Sequence, residues 1–138
     1  MITYSTEKNY TAEQLKELFL SVEWLSGKYP VKLKKALDNC GTVITAWDGG
    51  ELVGLINAID DGVLTAYVHY LCVRPEYQAK GIGRELLRQV KEKYHDFLYL
   101  LLVAENEPLI KYYKGHGFAC YDERSVMMIQ NDELKDGE

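Results

Sequence analysis

The segment Val73-Arg74-Pro75-Glu76-Tyr77-Gln78-Ala79-Lys80-Gly81-Ile82-Gly83-Arg84 constrains this chain more than any other. Pro75 cannot donate a ladder hydrogen bond and keeps Arg74 extended, so a strand running from Val63 stops there. Beyond Gly83, Leu86, Leu87, Val90 and Tyr94 recur as one stripe, and Arg84, Glu85, Arg88, Gln89, Lys91 and Glu92 cover the opposite face. This predicts a helix over Gly83–Tyr94. Gly81 and Gly83 permit backbone angles that expose successive N–H groups, and a helix beginning there leaves its first N–H groups unpaired at the positive end of its dipole. A strand, glycine turn and helix in that order make an anion site, where Lys80 and Arg84 either add charge or stay solvated. The same glycines would also serve a plain tight connection. A dinucleotide fingerprint would need glycine or alanine in place of Leu86, and a Walker loop would need Lys followed by Ser or Thr after its last glycine.

The flanking elements define an α+β order. Ile2–Tyr4 is a short strand, and Thr11 with Gln14 has capping-box spacing ahead of the helical face Leu15, Leu18, Phe19 and Val22. A second helix is expected from Pro30 to Asn39. Thr42–Trp47 and Leu52–Ile59 flank Asp48-Gly49-Gly50 as an antiparallel pair, and Asp61-Gly62 turns the chain into a third strand, Val63–Val73. The apolar run Phe97–Val103 predicts a strand buried on both faces, Pro108–Lys114 a short helix, and Phe118–Tyr121 and Ser125–Ile129 two last strands. The expected fold is a central mixed, mostly antiparallel sheet flanked by helices, with one β-α-β crossover.

With 138 residues, one domain over 1–130 is expected, followed by an acidic, flexible tail over 131–138. Asp132, Glu133, Asp136 and Glu138 against Lys135 place three of the five net negative charges in that tail. No basic stripe marks a nucleic-acid partner. Cys40, Cys72 and Cys120 are odd in number and widely spaced, so neither a disulfide framework nor a metal site is expected. The N-terminus lacks an apolar signal core and no run is long enough to span a bilayer, so a cytoplasmic protein without a membrane partner is expected.

Gln78, Gly81 and Gly83 match the central signature of the GCN5-related N-acetyltransferase (GNAT) superfamily, which this chain resembles: Gln or Arg, two residues, Gly, one residue, Gly or Ala. Leu71, Val73 and Pro75 match its approach to the loop, and Asn106, Tyr112, Tyr113, Gly117 and Phe118 match its downstream Asn, aromatic-Tyr and Gly-Phe pattern. The resemblance spans about residues 43–129 and implies a GNAT fold using acetyl-CoA as co-substrate without a metal. It implies that the amides of Ala79, Lys80, Gly81, Ile82, Gly83 and Arg84 hold the pyrophosphate, in a cofactor-binding turn that begins at Gln78. The main chain of Leu71, Cys72 and Val73 would pair with the pantetheine arm, and Asn106 would lie near the cofactor. Asp61-Gly62, Ala66 and the loop resemble most a small-amine branch that includes serotonin-type acetyltransferases, although around His69 and Tyr70 the chain departs from the acidic residue common there.

Acetyl transfer needs a route for the amine proton and a proton for the departing sulfur. Tyr113 stands at the family position that donates to the thiolate, or else it is a packing aromatic. His69 is the candidate base, or else a hydrogen-bonded sheet histidine; by strand parity its side chain faces as Tyr67, Leu71 and Val73 do, with Cys72 on the other face. Trp24, Tyr29, Tyr67 and Tyr70 are candidates for an acceptor pocket or for core. The expected reaction is transfer to a primary amine of a small molecule by direct attack. Acetylation of peptide or protein N-termini and a non-catalytic acyl-CoA-binding module are the alternatives. The exposed end of the sheet is compatible with a homodimer.

Overall fold

The computed structural model describes residues 1–121 and 123–137. The chain packs as two compact units, one of residues 1–101 with the tail from Lys135 on, the other Leu102–Leu134. A sheet dominates the first, with strands in the order β1 (Ile2–Ser5), β2 (Thr42–Asp48), β3 (Glu51–Asp60), β4 (Thr65–Val73) and β5 (Tyr99–Leu102). β1 through β4 pair antiparallel. The Tyr99 N–H donates to the Leu64 carbonyl at 2.9 Å, joining the start of β5 to the start of β4, so these two strands run the same way.

Helices α1 (Ala12–Ser21) and α2 (Pro30–Asp38) cover one sheet face. Leu15, Leu18 and Phe19 of α1 and Leu33 and Leu37 of α2 form one buried cluster with Val43, Leu55 and Cys72 of the sheet. The capping box forms as expected, since the Gln14 N–H donates to Thr11 Oγ1 at 3.1 Å and the Thr11 N–H to Gln14 Oε1 at 2.9 Å. Helix α3 (Ile82–Lys93) covers the opposite face with Ile82, Leu86, Leu87 and Val90 buried. Phe19 is fully buried, so Phe19→Ala would cost about 3–5 kcal/mol. The Asp136 carboxylate accepts the N–H groups of Val31 and Lys32 at 3.2 and 2.9 Å, so the acidic tail satisfies two orphan donors in the first turn of α2.

Three expectations need correction. β4 begins at Thr65 rather than Val63, because the Asp61 carboxylate accepts the N–H groups of Val63, Leu64 and Thr65 at 2.8–3.1 Å and shapes them into a turn. The apolar run after α3 yields only Tyr99–Leu102, and Tyr99 and Leu101 are about half exposed instead of buried, as befits the last strand of a sheet. Phe118–Tyr121 and Ser125–Ile129 form no strand among the described residues, and Val126 to Ile129 are 65–100% exposed. Strand-forming residue types stay irregular where no ladder pairs them. No helix among the described residues is long and apolar enough to cross a membrane.

Candidate functional site

The turn between β4 and α3 is built by local hydrogen bonds. After Val73 the chain makes a 3-10 turn, Pro75–Tyr77, whose Tyr77 hydroxyl donates to Asp48 Oδ2 at 2.6 Å. That bond ties the turn to the β2–β3 hairpin and raises the phenol pKa to about 12. The Gln78 side-chain amide donates to the Val73 carbonyl at 2.9 Å and closes the loop. Ala79 and Gly81 then take φ angles of +63° and +86°. Gly81 caps α3, and the first helical bond runs from the Glu85 N–H to the Gly81 carbonyl at 3.0 Å, so the preceding first-turn amides point out of the helix without an intrahelical acceptor. Gln78, Ala79, Lys80 and Arg84 are exposed around them, with the Lys80 ammonium 5.3 Å from the Tyr77 ring centre. Outward amides and two nearby cations fit a pyrophosphate.

Two residues that support this turn were missed from sequence. A Cβ added to Gly54 of β3 would approach Ile82 at 3.1 Å and Ala46 at 3.3 Å, so glycine lets the first turn of α3 lie close to the sheet. An isolated glycine in an apolar strand was its signal. Arg74 donates through Nε to the Leu52 carbonyl at 3.1 Å, and its guanidinium reaches Glu17, Glu51 and Glu76 at 3.4–3.8 Å.

The strand ahead of the turn is irregular at His69 and Tyr70. Ile56 pairs with Leu71 and Ala58 with Val68, so two steps along β3 match three along β4. The extra residue is a bulge at His69–Tyr70, and it overturns the parity argument. His69 stacks on Tyr70 with ring centres 3.9 Å apart and on Tyr67 at 5.5 Å, whereas Leu71 lies opposite Ile56. Tyr70 packs against the cluster that contains Cys72, so His69 shares its face with Tyr70 and Cys72 and not with Leu71 and Val73. His69 keeps a water-exposed edge, while protein packed about the ring pushes its pKa below the ordinary imidazole value. Tyr70 meets Phe19 edge-on at 4.9 Å and bonds Ser26 Oγ through its hydroxyl at 2.7 Å, and Trp24 lies 5.8 Å away. Full burial drives the Cys72 thiol pKa far up, which leaves no thiolate to act as a nucleophile.

In the second unit, Asn106 caps α4 (Glu107–Lys114), its side-chain oxygen accepting the Leu109 N–H at 3.0 Å. The helix ends in a Schellman motif: the Phe118 N–H reaches the Tyr113 carbonyl at 3.1 Å, the Gly117 N–H reaches the Lys114 carbonyl at 3.2 Å, and Gly117 has φ +94°. Tyr113 is half-buried, and burial, followed by Tyr112 and Glu105, raises its phenol pKa.

A family model described as acetyltransferase (GNAT) family matches residues 9–118. The chain belongs to this family. Among curated relatives, an uncharacterized N-acetyltransferase, ycf52-like, from Prochlorococcus marinus is 29% identical over 111 residues, 76% of this chain and 61% of the relative. A ycf52 N-acetyltransferase from Pyropia yezoensis is 28% identical over 123 residues, 85% of this chain and 70% of the relative. A solved GNAT-family acetyltransferase from Streptococcus pneumoniae superposes with a TM-score of 0.82 at 28% identity, covering 96% of this chain and 100% of that one. A Staphylococcus aureus chain reaches 0.85 at 22% identity, which speaks for the fold alone. The GNAT family uses acetyl-CoA, and its signature glycines fall here on the positive-φ cap of α3 and on its first turn. An open hollow of about 640 Å³ between β2 and α3 contains none of the candidate residues; its Arg88 is held by Glu85 and Glu92, and its Lys8 by two backbone carbonyls.

Proposed function

We propose that this chain transfers the acetyl group of acetyl-CoA to a primary amine of a small molecule by direct attack. The observation that carries the reading is the turn itself: left-handed Ala79 and Gly81, closed by Gln78, deliver the chain into α3 with its first amides facing outward. Acetyl-CoA supplies the thioester that makes the acyl carbon electrophilic. In the turn from Gln78 to Arg84 the amides of Ala79 to Arg84 bind its pyrophosphate, the main chain of Leu71 to Val73 lines up its pantetheine arm, and Asn106 contributes from the cap of α4. The amine nitrogen bonds to the acyl carbon as the carbon–sulfur bond breaks. His69, neutral near pH 7, takes the proton from nitrogen, and Tyr113, protonated there, gives one to sulfur. The aromatic rings that stack on His69, Tyr67 and Tyr70, with Trp24 packed beside Tyr70, support a small acceptor over a long peptide.

The test is a thermal melt with and without acetyl-CoA, followed by thiol release against arylalkylamines, polyamines and short peptides. At about a hundredfold excess over Kd, linkage gives about 2.7 kcal/mol and a rise of several degrees in Tm. Gly83→Asp places an acid in the first turn of α3, where the helix dipole tolerates it but a pyrophosphate does not. The variant should fold and lose the shift. A shift of unchanged size in Gly83→Asp would move the cofactor elsewhere, and turnover with peptides alone would replace the acceptor class.

A further inference from the structure

Asn57 is a polar residue at 1% exposure in the middle of an otherwise apolar stretch of β3. It stands opposite the bulge, where the ladder passes from Ile56–Leu71 to Ala58–Val68. A bulge interrupts the ladder and leaves a backbone group without its regular partner. Here the Asn57 side chain supplies that partner, its Oδ1 accepting the Tyr70 N–H at 2.8 Å. Its other end is fixed as well: Nδ2 donates to Cys40 Sγ at 3.3 Å, and the Cys40 thiol donates to the Ala36 carbonyl of α2 at 3.3 Å. One side chain thus ties the irregular point of β4 to the end of a helix.

The geometry points to Asn57 as the positioning residue of this site: by holding the Tyr70 N–H it locks the bulge that turns His69 onto Tyr70. The register shows the consequence. Leu55 and Ala58 lie on opposite faces of β3 by parity, and their partners Cys72 and Val68 are four residues apart, a spacing that would put both on one face of a regular strand. Without the bulge, His69 would point with Leu71, away from Tyr70. A polar residue held in an apolar strand at the cost of its own desolvation is explained by this bond. That the positioned ring accepts a proton rests on the function proposed above; that Asn57 holds the ring does not.

The experiment compares the parent with Asn57→Leu, which keeps much of the volume but removes the acceptor, and Asn57→Asp, whose carboxyl oxygen can still take the Tyr70 N–H. NMR shifts of the His69 ring protons report its stacking on Tyr67 and Tyr70. In Asn57→Leu the upfield ring-current shift should be lost, and in Asn57→Asp it should be largely retained, while Kd for acetyl-CoA stays near the parent value in both. With the amine selected by the panel, kcat of Asn57→Leu should fall by up to about 10²-fold, the scale of a misplacement of about 1 Å. An unchanged His69 signature in folded Asn57→Leu overturns the proposal. A lost signature with kcat intact upholds Asn57 and removes the proton role of His69. Hydrogen exchange on the parent needs no variant to fold: the Tyr70 amide should be strongly protected, and exchange as fast as that of the exposed turn amides would sink the idea.

Discussion

The Phe118 ring lies edge-on to the Tyr113 ring at 5.8 Å, and the Phe118 N–H closes on the Tyr113 carbonyl, so the residue that ends α4 also braces the tyrosine one turn earlier. The spacing from Tyr113 to Gly117-Phe118 is therefore the spacing of a helix stop, in which the glycine takes the left-handed angle and the next residue packs back. Tyr113→Phe keeps this packing and removes only the hydroxyl. It should lower kcat by about 10²-fold with little change in acetyl-CoA affinity, the size expected for loss of a general acid. Parent-level turnover would return Tyr113 to packing alone.

Gly117→Ala tests the brace without touching the phenol. At φ +94° a Cβ is strained, and the cost should be about 1–2 kcal/mol in a thermal melt. If the Schellman motif holds Tyr113 in place, kcat should also fall, and restoring the reaction temperature margin should not rescue it. A variant equal to the parent in both Tm and kcat would mean the helix end is not needed.

Glu23 offers the opposite experiment. It sits exposed just past the end of α1 at φ +60°, with the Trp24 N–H bonded to the Phe19 carbonyl at 3.0 Å, a site where glycine is the usual occupant. Glu23→Gly relieves a left-handed cost of about 1–2 kcal/mol, while the freer unfolded chain takes back about 0.4–1 kcal/mol. The net should be a small gain in urea-melt stability, by about 0.5 kcal/mol. A loss of stability would show that the glutamate side chain contributes something its exposure conceals.

Much of this was legible because short-range rules governed it. Thr11 and Gln14 cap α1, Pro75 ends β4, and Gly81 takes the angle that a helix start after a tight turn demands, all within a few residues of their signals. The side-chain direction of His69 was not legible, because a period of two holds only in a regular strand and the bulge beside it is decided by a bond to Asn57 on another strand. The late start of β4 has a similar origin, since Asp61 reads as a turn residue but its carboxylate reaches three amides further on. Val126 to Ile129 carry the residue types of a strand, yet pairing is a tertiary event that such types do not specify.

Arg74 shows how a charge can be structural beside a binding turn. Its side chain is 16% exposed, and it meets one carbonyl and three acids that are each about half exposed. Exposed ion pairs contribute little individually, but Arg74→Met also strips the Leu52 carbonyl of a partner and leaves three carboxylates facing one another. The expected cost is about 1–3 kcal/mol in urea melts. Part of it should vanish at about 1 M salt, where repulsion is screened beyond about 3 Å. A cost independent of salt would assign the whole effect to the carbonyl bond and to packing.

His69 makes the most specific pH prediction. A base must be neutral before it accepts a proton, so kcat/KM should rise with pH through the imidazole pKa. Burial lowers that pKa in the folded protein, which places the midpoint below about 6.5, the ordinary imidazole value, and leaves the ring neutral at pH 7. The acceptor adds its own rise at higher pH, because only the neutral amine attacks and primary amines titrate near about 10. Two separate inflections are therefore expected in the parent. Replacing His69 with Gln should erase the lower one and leave the upper. Because the folded pKa lies below the unfolded one, protonation of His69 also disfavours folding, and its stability contribution is lost as pH falls below about 6.5. Circular dichroism at each pH separates that loss from a loss of rate. Survival of the lower inflection in folded His69→Gln would take the proton route away from the imidazole and assign that inflection to another group.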